Sequence, residues 1–340
     1  KAISALAPDV MPERDLWAGI EPQLANRPSK AKPVLWHWAT AAMLGLACLV
    51  SWQLALLPGI QSSNQASMPT AELMLLQVYE TQKANQLRQT VAIAEGLIKS
   101  NFCIPSHIIV TKRNIKTLEE LERKGVLVTS DNNEAVRYAD LVILAVKPFQ
   151  IKEVLLGMKE DLSAARHVVV SVVTGVLIKD MQEWIGEEMP IMRAMPNTAI
   201  AIQESMTCIS AKNAVQEQLD YVHDLFSQLG RVALIEEKLM DAATVLGACG
   251  IAYALRYIRA SIQGGIEIGF DAKTATLIAA QTVNGAAELL IQKGSHPEAE
   301  IDKVTTPRGC TIAGLNEMEH SGFSSSLIKG IKTSYETIGK

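Results

Sequence analysis

The sequence predicts an α/β chain: an incomplete, Rossmann-type doubly wound sheet, then an all-helical domain, behind a helical N-terminal extension. Three observations predict this. From about Val91, short apolar runs alternate with helical stretches, the pattern of a mostly parallel sheet. After Ile235 the short runs stop and long helical patterns replace them. Between Pro33 and Ala71 there is no Asp, Glu, Lys or Arg.

The chain has 340 residues, enough for two cored domains with appendages. Its net charge is −4 and no basic cluster occurs, which argues against a nucleic-acid partner. The five cysteines (Cys48, Cys103, Cys208, Cys249, Cys310) form no C-x-x-C pair. They read as reduced thiols of a cytoplasmic protein. The six histidines (His37, His107, His167, His223, His296, His320) show no metal-ligand spacing and read as surface or strand-edge residues.

The expected division is an extension over 1–89, a nucleotide-binding domain over 90–238 and a helical domain over 239–340. Within the extension, the apolar stretch 34–57 carries Trp36, Trp38 and Trp52 toward its ends and is closed by Pro58-Gly59. That suits a membrane span with interfacial tryptophans, and also a buried helix. Arg27, Lys30 and Lys32 precede it and no base follows until Lys83. The positive-inside rule then keeps the N-terminus cytoplasmic and sends the remainder outward. Gln61–Thr70, rich in Ser, Gln and Asn, reads as a flexible tether.

In the second region, helices are expected at Ala92–Ser100, Thr117–Lys124, Asn133–Ala139 and Ile151–Met158. Strands are expected at His107–Val110, Val126–Val128, Leu141–Val146, Val168–Val173, Ile191–Ala194, Met206–Ser210 and Arg231–Ile235. The third region reads as helices over Asp241–Ile268, Ala272–Lys293, Ile312–Glu319 and Ser325–Ile338.

Three segments at strand ends are candidates for cofactor binding, because ligands of open α/β sheets bind at the carboxyl edge. Lys112, Arg113 and Asn114 stand where NAD enzymes place an acid. A base there favours a 2′-phosphate, and so NADPH over NADH. Ala145, Val146, Lys147 and Pro148 close the next long strand. Arg193-Ala194-Met195-Pro196-Asn197-Thr198 closes another, with Asn197 a candidate lining residue. Much later, Thr305-Thr306-Pro307-Arg308-Gly309-Cys310-Thr311 runs straight into a helix, and the free N–H groups of such a start suit a small carboxylate.

Together the segments at 193–198 and 305–311 resemble the pyrroline-5-carboxylate reductase family over about 91–340. The resemblance implies an NADPH-dependent oxidoreductase that reduces 1-pyrroline-5-carboxylate to L-proline, acting as a homodimer or larger homo-oligomer in the cytoplasm. It implies substrate binding by Thr306, Gly309, Cys310 and Thr311, with Thr311 the polar or proton-relaying catalytic group. It places Lys112–Asn114, Ala145–Pro148 and Asn197 along the cofactor. The family's small-residue helix carries Ser-Gly-Pro-Ala, and here Cys249 and Ile251 replace that Ser and Pro. The family's Gly-Gly turn is Arg308-Gly309.

The resemblance also exposes a departure. A dinucleotide fold opens with a strand and G-x-G-x-x-G before its first helix. Asn85-Gln86-Leu87-Arg88-Gln89-Thr90 contain no glycine and follow no Val/Ile strand. The first strand and phosphate loop are read as lost, which would leave two neighbouring strands exposed and weaken the grip on cofactor. Residues 1–89 instead resemble a bacterial anti-sigma-factor-like membrane protein, in Pro12-Glu13-Arg14-Asp15-Leu16-Trp17 and a polar helix near Tyr79–Leu87. The alternative function is therefore a membrane-tethered regulator, anchored in the inner membrane through 34–57, with the reductase part a passive appendage.

Overall fold

The computed structural model describes residues 89–338. The apolar stretch 34–57, the tether and the anti-sigma-factor-like segment lie outside them.

Helix α1 (89–99) opens the described region. Strands β1 (Ile109–Thr111) and β2 (Leu127–Thr129) pair in parallel, joined by a 3₁₀ turn and the short helix α2 (Glu119–Arg123). Helix α3 (Asn132–Tyr138) follows, capped by Asp131, whose carboxylate accepts from the Asn133 and Glu134 N–H groups. A second sheet is ordered β3 (Leu141–Leu144), β4 (Val168–Ser171), β5 (Ile191–Met195), β6 (Ser205–Lys212), β7 (Gly230–Leu234). Helices α4 (Ile151–Met158) and α5 (Ile178–Ile185) make the parallel crossovers β3 to β4 and β4 to β5. β6 turns back antiparallel to β5, and α6 (Gln216–Ser227) returns the chain to β7, parallel with β6.

Among the described residues the sheet is in two parts, β1–β2 and β3–β7, with no strand joining them. Leu141, Val142 and Ile143 of β3 are only half-buried, while every residue of β4 is buried, as a strand with one neighbour differs from one with two. Helix α1 holds the parts together. Its Ala92, Ile93 and Leu97 pack among Val170, Met192, Phe226 and Leu229 of the larger sheet's layer. Its Ala94 packs with Val110, Leu118, Leu121 and Val126 of the smaller one. Gly96 lets α1 approach, since a Cβ there would come within 2.2 Å of Leu229 Cδ2.

Strand boundaries moved by a residue or two from expectation, and three helices had not been expected: α5, α6 and α10. His107 belongs to a 3₁₀ turn, not to β1. His167, expected at the surface or a strand edge, stands at the edge of β4 and is buried: its Nδ1 accepts from the Ser163 N–H at 2.8 Å and its Nε2 lies 3.2 Å from the Val136 carbonyl. It tacks the turn before β4 to α3.

The long helix expected over Asp241–Ile268 is divided. Helix α7 (Met240–Ala243) widens into a π-helical turn, Thr244–Cys249, before α8 (Gly250–Glu267). Helices α9 (Ala272–Lys293), α10 (Pro297–Val304), α11 (Cys310–His320) and α12 (Phe323–Thr337) complete the region. Of α8 to α12, only Ala275 and Ala279 are buried. Leu255, Ile266, Leu277, Ile291 and Ile328 are all exposed. Among the described residues, Glu237–Glu267 is long and apolar enough to cross a membrane by length and composition, a test that the core helix of a soluble protein also passes.

Candidate active site

At the end of β1, Lys112 Nζ donates to Thr117 Oγ1 at 2.7 Å, and Thr117 Oγ1 donates to the Asn114 carbonyl at 3.0 Å. This ties the basic turn into a compact loop. Arg113 pairs with Glu153 of α4 at 3.6 Å, with side chains 85% and 76% exposed. So exposed a pair holds weakly, and its guanidinium is free to exchange Glu153 for a phosphate.

At the end of β3, Ala145 packs against one core cluster and Val146 against another, so the two carbons fix the path of the backbone between them. Lys147 precedes the 3₁₀ turn Pro148–Gln150, with Pro148 at its first position, and its ammonium lies 5.6 Å from the Phe149 ring centroid.

At the end of β5, Asn197 begins the 3₁₀ turn Thr198–Ile202. Its Oδ1 accepts from the Ala199 N–H at 3.0 Å, and its Nδ2 donates to the Gly247 carbonyl at 3.3 Å in the π-turn. Its own N–H donates to Ser205 Oγ at 3.0 Å. Neighbouring Cys208 on β6 pairs with Met195, and burial raises its thiol pKa, which keeps it protonated.

The role of Arg193 was not foreseen. It is 1% exposed, and its Nη1 meets Glu237 Oε1 at 3.3 Å. The same oxygen accepts the Ile178 N–H at 2.7 Å. The signal in the sequence was an Arg inside an apolar strand, which requires a counter-charge somewhere in the fold.

In the helical region, Thr305 Oγ1 donates to the Ile301 carbonyl at 2.8 Å and ends α10. The Gly309 N–H donates to the Thr306 carbonyl at 2.9 Å and closes the turn. A Cβ on Gly309 would lie 2.5 Å from Thr306 Oγ1, so a larger residue there would force the Thr306 hydroxyl to move. Gly309 is the cap of α11, and the N–H groups of Cys310 and Thr311 open the helix without intrahelical acceptors. Of the three N–H groups expected to cradle a carboxylate, two face outward from the helix start and that of Gly309 is used by the turn.

The structure thus joins Asn197 to the π-turn. Among the described residues, no hydrogen bond or ion pair connects 305–311 with the nucleotide-binding region. The residues present suit NADPH at its two ends, through Lys112–Asn114 and through Ala145–Pro148. At the diphosphate they do not, because the chain has no glycine between Gly59 and Gly96.

Comparison with known proteins accords with this layout. A family described as "Pyrroline-5-carboxylate reductase dimerisation" matches residues 237–340, and one described as "NADP oxidoreductase coenzyme F420-dependent" matches 87–175. The chain is 46% identical over 255 residues to pyrroline-5-carboxylate reductase 1 of Dictyostelium discoideum, covering 72% of this chain and 46% of that protein. It thus spans about half of that relative's length. It is 41% identical to pyrroline-5-carboxylate reductase 2 of the same organism, covering 74% of this chain and 89% of the other. Among solved structures, it superposes on a pyrroline-5-carboxylate reductase from Coxiella burnetii with a TM-score of 0.69 at 29% identity, over 74% of this chain and 93% of that one. The NADP-bound pyrroline carboxylate reductase of Plasmodium falciparum gives a TM-score of 0.67 at 25% identity, over 74% and 94%. A parallel-sheet region and a helical dimerisation region, with a relative 41% identical over 89% of its length, make the chain a member of the pyrroline-5-carboxylate reductase family.

Proposed function

We propose that this chain reduces 1-pyrroline-5-carboxylate to L-proline with NADPH, NADH serving less well. The observation that carries the reading is the pairing of candidate cofactor residues at the strand ends with the Thr305–Thr311 turn opening α11. NADPH, when bound, would supply a hydride to the imine carbon. The imine nitrogen takes its proton first, and the cationic C=N is then electrophilic enough that the protein needs placement more than a strong base. The C=N π electrons end as the lone pair of the ring nitrogen. The Cys310 and Thr311 N–H groups, with the positive end of α11, hold the substrate carboxylate. The Thr311 hydroxyl reaches the ring nitrogen and relays its proton.

The exposed apolar faces of α8, α9 and α12 support a homodimer that brings the 305–311 turn of one protomer to the strand ends of its partner. We take 90–238 as the cofactor domain and 239–340 as the substrate and dimerisation domain, working in the cytoplasm. The regulator reading rests on residues 1–89 alone, and no bond described above favours it.

The test is titration of NADPH by fluorescence, with assay of proline formation. It uses the full chain and a chain in which a strand and Gly-rich loop are inserted before Val91. Tighter binding and faster reduction by the restored chain are expected. Equal, tight binding by both would mean that another segment replaces the loop. Failure of both to form proline would overturn the function.

A further inference from the structure

Two side-chain contacts join the larger sheet to the start of the helical region, and both originate on or beside β5. At mid-strand, buried Arg193 meets Glu237, whose Oε1 also receives the Ile178 N–H at the head of α5. One carboxylate oxygen therefore touches β5, α5 and the turn that leads into α7. Arg193 Nε and Nη2 have no other protein partner among the described residues, so Glu237 is the counter-charge on which this buried cation depends. At the strand's carboxyl end, the Asn197 carboxamide is engaged at both of its atoms. Its oxygen caps the turn at Ala199 and its nitrogen holds the Gly247 carbonyl. Gly247 lies within the π-turn Thr244–Cys249. Such a turn interrupts the regular ladder of a helix, so its path must be fixed by contacts from outside. Thr244 supplies one contact inward, its hydroxyl donating to the Met240 carbonyl at 2.8 Å. Asn197 supplies the contact from the sheet.

We propose that Asn197 and Glu237 are positioning residues, and that together they set where the π-turn lies against the end of β5. Neither acts on the reacting atoms. They fix the joint across which cofactor and imine must meet, and this kinetic consequence rests on the reductase reading above. Asn197→Asp separates the two bonds of the carboxamide. It keeps the oxygen that caps Ala199, loses the donor to Gly247 and sets an anion beside that carbonyl.

The experiment is amide hydrogen exchange read by mass spectrometry, run beside steady-state kinetics on the full chain. Asn197→Asp should speed exchange of the 244–250 amides about 3- to 10-fold, the weight of one hydrogen bond. Exchange in 168–171 should stay as in the wild type. It should also lower kcat by about 10- to 100-fold, with KM for the imine unchanged, as misplacement without loss of binding requires. Glu237→Gln, which keeps an acceptor and removes the charge, should likewise speed the 244–250 amides, with added exchange at 191–195 where Arg193 loses its counter-charge. Asn197→Ser keeps a cap and removes the Nδ2 that reaches the Gly247 carbonyl, and it replaces the aspartate if that variant does not fold. Unchanged exchange at 244–250 overturns the proposal, as does acceleration spread evenly through β4 and β5. Local acceleration in a wild type that forms no proline supports the joint and defeats the reductase reading alone.

Discussion

Arg308 has a φ of 60°, in the left-handed region that disfavours any side chain with a Cβ. It occupies the first position of what the family resemblance makes a Gly-Gly turn, so the backbone keeps a glycine's conformation while the residue has changed. A left-handed residue of this kind costs about 1–2 kcal/mol, and glycine's greater unfolded freedom cancels roughly 0.5–1 kcal/mol of any relief. Arg308→Gly should therefore stabilise the chain by about 0.5–1 kcal/mol, seen as a higher denaturant midpoint with an unchanged slope. The motif around Arg308 was legible in the sequence, and its strain was not, because φ is set by the turn that Gly309 and Thr306 close. The same holds for Arg193. A lone Arg in Ile191–Met195 announces a buried charge, but its partner Glu237 stands on another element, and only the tertiary fold brings them together. Asn197 is the converse case. Its position at a strand end was read correctly, while the structure occupies its carboxamide with Ala199 and Gly247.

Among elements, α1 carries the most. It was legible because Ala92, Ile93, Ala94 and Leu97 are small or apolar at helical spacing. What spacing did not disclose is that its faces serve two different clusters. Gly96→Ala tests how closely it is seated. Alanine gains about 1 kcal/mol of helix propensity, but the new methyl meets the Cδ2 of fully buried Leu229, which must shift within a packed core. Overpacking of this kind costs about 1–3 kcal/mol, so a net loss is expected in thermal unfolding. Adding Leu229→Ala should erase the penalty of the glycine change. Helix α5 escaped the sequence reading although Ile178, Met181 and Ile185 stand at helical spacing and are buried, since its remaining positions are mostly polar. Helix α6 escaped because its buried residues, Val222, Leu225 and Phe226, are confined to its second half. The π-turn had no signal beyond small residues, since its extra residue per turn comes from packing and not from propensity.

For the whole molecule, two features were written plainly in the sequence: the change from alternating elements to helices, and the missing glycines before α1. The antiparallel return of β6 was not, because an apolar strand reads the same in either direction. The helical region leaves many apolar side chains exposed within one protomer, and membership of the family makes homo-oligomer formation its expected state. Leu277 on α9 is 69% exposed within one protomer. Leu277→Glu should shift sedimentation toward the monomer, whereas an unchanged sedimentation coefficient would place the interface elsewhere. The placement of α1 carries a last consequence, for how the chain is made. Ribosomes release α1 well before the partners it needs: Leu229, against which Gly96 lies, is translated about 130 residues later. At about 5–20 residues per second, the apolar face of α1 waits roughly 7–26 s for its seat. Throughout that interval the nascent chain presents a sticky helix to the cell, so its yield should depend on chaperone supply more than its final stability would suggest.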